Sequence, residues 1–139
     1  MKITALVVVA AHVVVVVLHS IAHNVLPVEA TPAQLAFIVP VILVAPVVAA
    51  FMLAKFEKAG MVLLTASMLG SLVFGIYYHF IADTIDNVVH VAHREPLFWS
   101  QMFQVTSYLL AITEAAGVVV GSIYFFAPFV ANQSLRRSV

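Results

Sequence analysis

The chain is 139 residues long, 64% hydrophobic and only 9% charged, with a mean hydropathy of +1.14 and a formal net charge of zero. A soluble domain carries roughly a quarter charged residues, so water is excluded as the main solvent and an integral membrane protein is expected. Six basic against six acidic residues give no electrostatic footing for nucleic acid. The absence of cysteine excludes disulfides, thiolate metal sites and thiol catalysis, leaving nitrogen and oxygen donors, with Met sulfur the only soft alternative.

A helix crossing ~30 Å of hydrocarbon at 1.5 Å per residue needs about 20 apolar residues. Four segments qualify, so the expected fold is all-α: one four-span transmembrane bundle. The spans fall at about residues 3–23, 33–54, 61–83 and 103–129, with an outer loop over 84–96. The first imitates a secretory signal, with Lys2, an apolar run and Ser20-Ile21-Ala22. That run is about 20 residues long against the 7–15 of a signal core, and it contains His12, so it reads as a retained helix.

Thr31 and Pro32 read as the N-cap and first residue of the second helix. Pro40 and Pro46 lie inside it and predict a kink. Lys55 to Lys58 with Gly60 predicts a short turn, and the third helix then runs from Met61 to Asp83. The only sizeable polar connection, Thr84 to Pro96, holds Asp86, His90, His93, Arg94 and Glu95. Trp99 marks an interfacial belt near the start of the last segment, and the tail Asn132 to Val139 is expected to be disordered at its end.

Lys2, Lys55, Lys58, Arg136 and Arg137 fall on one side of a four-crossing chain, and only Arg94 on the other. The positive-inside rule then puts both termini in the cytoplasm, with the cytoplasmic membrane of a prokaryote the expected location.

Chemistry-bearing residues gather at two helix ends. His19 and His23 are four apart, as are His79 and Asp83, and residues four apart share a helix face. Both pairs are placed at the outer membrane face. Imidazole with carboxylate is the donor set of a Cu, Zn or Fe site, so His19, His23, His79 and Asp83 are the expected metal ligands. His12 lies within about 40° of His19 and His23 around its helix. An intramembrane polar group faces the bundle interior, so this stripe turns towards the other helices.

Ser67, Ser71, Gly75, His79 and Asp83 form a second stripe of small and polar residues that lets a neighbouring helix approach. Glu114 sits roughly 16 Å below the outer end of its helix at 1.5 Å per residue. A carboxyl group at that depth either pairs or keeps its proton; the expected partner is His12, or the metal itself. His90 and His93 are candidates for an additional outer site, against the plainer reading of solvated loop histidines. Gln104, Thr106, Tyr77, Tyr78 and Tyr108 are candidate partners for the second ring nitrogen of a ligating imidazole. Gly117 and Gly121 read as a packing or dimer contact.

The expected function is a membrane metal-binding protein, an accessory or catalytic subunit of a larger redox complex, in contact with lipid and with other subunits or further copies of itself. One alternative is a b-type cytochrome with haem between axial His19 and His79. Another is a non-catalytic structural subunit whose polar residues bind helix to helix. Whether the chain is an enzyme is left open.

Overall fold

The computed structural model describes residues 1–137, with side chains as far as Ala127. The described residues are all helical apart from turns. We number the helices α1 (Lys2–Val25), α2 (Pro32–Lys55), α3 (Glu57–Ile81), α4 (Val88–Val91) and α5 (Leu97–Arg137). Four of them are long and apolar enough to cross a membrane, α5 over Leu97–Ala127. Their outward faces carry large apolar side chains: Val7 is 62% exposed, Phe51 78%, Val73 62% and Ile112 62%. A water-soluble monomer rarely exposes contiguous apolar surface on this scale. A bilayer is the solvent that suits it. The placing of Arg136 and Arg137 and the expectation for the tail lie outside the described side chains.

At one end of the bundle Lys2 Nζ meets Glu57 Oε2 at 2.9 Å, joining the starts of α1 and α3. Above that pair lies an apolar core of Ala5, Val9, Ala49, Leu53, Met61, Leu64, Met68 and Val120, drawn from all four long helices. Small residues set the spacing. A Cβ on Gly117 would fall 2.5 Å from Met68 Cγ, and one on Gly121 would overlap the Thr65 side chain, so both glycines admit α3 against α5 within one chain.

The turn expected over Lys55–Lys58 and Gly60 is shorter than that. Phe56 alone interrupts the helix (φ −125°, ψ 62°), and Gly60 already belongs to the first turn of α3. Its missing Cβ admits the α2 backbone, since an added one would stand 2.9 Å from Leu53 N.

The expected kink in α2 takes the form of a wide-turned π segment, Ile38–Val44. A proline has no N–H to give the carbonyl four residues back. Pro46 has none to give the Ile42 carbonyl, and the His12 imidazole reaches that carbonyl, Nε2 donating at 3.2 Å. His12 is thus a staple between α1 and α2. Thr31 caps α2 as expected, in a reciprocal box with Gln34.

α3 ends earlier than the pattern of residues suggested. It widens to a π turn over Tyr77–Ile81, and Ala82 is extended (φ −71°, ψ 139°). The chain then folds back through Asp86 and α4 over the end of the bundle. There Ala22, Leu26, Val28, Val88, Val91 and Phe103 form a small apolar cap.

Candidate metal centre

Beneath that cap three imidazoles converge. His19 and His23 come from the last two turns of α1 and His79 from the π turn of α3. One ring nitrogen from each lies within 4.8 Å of the other two. His19 and His79 are buried and His23 half-buried. Phe103 of α5 is their floor, its ring centre 4.7 Å from that of His19, 4.9 Å from His23 and 5.5 Å from His79.

Each Nδ1 is tied to an acceptor. The Thr106 oxygen lies 2.6 Å from the Met102 carbonyl one turn back and 2.9 Å from His19 Nδ1; with its hydrogen on that carbonyl it accepts from the ring. His23 Nδ1 donates to the Val28 carbonyl at 2.8 Å, while Val28 N–H donates back to the His23 carbonyl at 3.0 Å, pinning the α1–α2 loop to the ring. His79 Nδ1 donates to the Asp86 carbonyl at 3.1 Å.

In a neutral imidazole one nitrogen donates and the other accepts. With all three Nδ1 atoms donating, all three Nε2 atoms carry lone pairs. His19 Nε2 and His23 Nε2 nevertheless face each other at 3.1 Å. Two lone pairs at that distance repel unless something positive stands between them or beside both. Bonds of about 2.0–2.1 Å from both nitrogens to one ion would meet at roughly 100°, close to tetrahedral. An Nδ1 held by carbonyl or hydroxyl, with Nε2 turned to the metal, is the usual outer support of a ligating histidine.

Asp83 does not join this group. It is 92% exposed and lies 3.1 Å from His90 Nε2 on the loop that follows α3. The i,i+4 relation to His79 required an α-helix continuing to residue 83, and the chain leaves the helix at Ala82. Asp86 occupies the place expected for Asp83. It is 5% exposed, with Oδ2 accepting from Gln34 Nε2 at 3.2 Å and Oδ1 3.8 Å from His23 Nδ1, without a hydrogen-bond partner among the described residues.

His90 also donates to the Thr84 carbonyl (2.8 Å), and both His90 and His93 are exposed and apart from the cluster. Glu114 and His12 make no hydrogen bond to each other: His12 Nε2 donates to the Ile42 carbonyl, and its buried Nδ1 has no partner among the described residues. Glu114 is 2% exposed, and its Oε2 has no hydrogen-bond partner among the described residues.

Of the candidate partners named from the sequence, Thr106 touches a site imidazole, whereas Gln104 bonds the Ser100 carbonyl of its own helix. The sequence named Asp86 only as a residue of the polar connection, and singled out neither Gln34 nor Phe103 as part of a site. Asp86 lies in a turn with no periodicity to reveal its direction. Of what places Gln34, only the N-cap at Thr31 was visible in advance; the reciprocal bond from Gln34 emerges in the structure.

The rings of His19 and His79 stand edge to face, centres 4.9 Å apart, with Phe103 against both. A porphyrin between two axial imidazoles needs an open slot between their rings, and none exists there. A scan against protein-family models finds no match, and neither the curated proteins nor the solved structures yield one.

Proposed function

We propose that this protein binds one transition-metal ion through Nε2 of His19, His23 and His79 near the outer surface of a membrane. The carrying observation is the 3.1 Å approach of two imidazole nitrogens whose opposite nitrogens are held by the Val28 carbonyl and the Thr106 hydroxyl. Three imidazoles without thiolate suit Zn, Cu, Fe or Ni. Three protein ligands leave a fourth position for water or substrate, the arrangement of catalytic rather than structural sites. Asp86 is the nearest carboxylate and offsets the charge of a divalent ion.

Both termini lie in the cytoplasm of a prokaryotic cell in this reading, so the site faces the outer side. In a chain this small, whose exposed surface is mostly apolar, the ion serves as part of a larger membrane redox assembly, the chain being its accessory or catalytic subunit.

Elemental analysis and an absorption spectrum of protein extracted in mild detergent test this. One ion per chain, lost in His23→Ala and in His79→Ala, supports the reading. A Soret band would replace it with haem. Neither metal nor haem after saturating supply would leave a structural subunit.

A further inference from the structure

A cavity of about 460 Å³ adjoins the three histidines and runs down among α1, α2, α3 and α5. Its origin is the irregular half of α2. The π segment packs on α3 and reaches α1 mainly through Ile42, so the outer parts of α1 and α2 stand apart. Val16, Ile38, Ile42, Phe74 and Leu110 make its wall apolar.

At its deeper side stands Glu114. A carboxyl group this buried needs a hydrogen-bonding partner or a counter-charge, and the described residues supply neither to Oε2. The hydroxyls nearby are committed, Ser71 to the Ser67 carbonyl (2.8 Å) and Ser107 to the Phe103 carbonyl (2.8 Å). Gly75 keeps the space open. A Cβ there would lie 3.6 Å from Glu114 Oε2 and 4.0 Å from His79 Cδ2, so a larger side chain would grow between the carboxyl and the imidazole.

We propose that this cavity binds a small, uncharged, lipid-soluble molecule carrying a hydroxyl or carbonyl group, which hydrogen-bonds the Glu114 carboxyl. An apolar cavity of about 150 Å³ holds benzene, so this one has room for two fused rings and a short tail. Leu35 and Leu43 belong to its wall and are also exposed on the flank of α2, which opens it sideways to the acyl chains. The molecule enters from the bilayer between α1 and α2. The cavity and Glu114 do this without any ion at the histidines, so the inference goes beyond the metal reading.

The test uses 2-naphthol and naphthalene, alike in shape and different by one hydroxyl. Their binding to the metal-stripped full chain in nanodiscs is measured against empty nanodiscs. Expected is saturable binding, with naphthol about tenfold tighter than naphthalene, the effect of one net hydrogen bond. Glu114→Gln keeps most of that preference, Glu114→Leu removes it, and Gly75→Val abolishes the binding of both. Partition no different from empty nanodiscs overturns the proposal. So does an unchanged naphthol preference in Glu114→Leu or undiminished binding in Gly75→Val. Because the ion is stripped throughout, failure here leaves the metal reading standing, and failure of the metal reading leaves this result intact.

Discussion

Thr106 determines which nitrogen His19 offers. With its hydroxyl hydrogen on the Met102 carbonyl, 2.6 Å away, it accepts from Nδ1 and leaves Nε2 free for an ion. Thr106→Val keeps the shape and removes the acceptor. Loss of such an outer partner costs metal affinity 10–100-fold as an order of magnitude, measured by competition with a chelator of known affinity. The two loop aspartates should separate in the same assay. Asp86→Ala removes the carboxylate nearest His23 together with the Gln34 bond, and affinity falls. Asp83→Ala, at an exposed position paired only with His90, leaves affinity unchanged. The reverse order would mean that the loop folds differently around the ion.

Regular elements were legible in the sequence wherever they stay regular. His19 and His23 share a face because α1 is an unbroken α-helix, and an i,i+4 reading of such a helix carries to three dimensions. The same reading of His79 and Asp83 fails because α3 widens into a π turn and stops, and nothing in the residues Tyr77 to Asp83 signals this. The prolines of α2 announced an irregularity but not its consequence, a carbonyl at Ile42 that borrows a donor from another helix.

That bond makes a coupled prediction. His12→Leu should cost about 0.6 kcal/mol and no more than about 1.7 kcal/mol, the mean and maximum for interhelical hydrogen bonds in a membrane protein. In a Pro46→Ala background the backbone regains a donor for Ile42, and most of that cost should vanish. A double-mutant cycle by denaturation in mixed micelles measures the coupling. Strict additivity would show that His12 is retained for something other than Ile42.

The whole molecule is a bundle with one end held by Lys2 and Glu57 and the other carrying the histidines beneath an apolar cap. Composition alone made the membrane reading and the helix count legible. It could not show that α5 contacts both α1 and α3, nor that its Phe103 would become the floor of the site, because no local pattern encodes which helix stands between which. Orientation is directly testable, since the chain has no cysteine to interfere. A single cysteine at Glu29 or Asn87 should react with an impermeant maleimide in intact cells. One at Lys58 should react only after lysis. The opposite pattern would put the histidines on the cytoplasmic side.

The most direct measurement is X-ray absorption at the metal edge of the protein loaded with Zn or Cu. The account predicts three imidazole nitrogens at about 2.0–2.1 Å, falling to two in His23→Ala. An ion with fewer than three imidazoles in the wild type, or one whose spectrum is unaltered by His23→Ala, would contradict it.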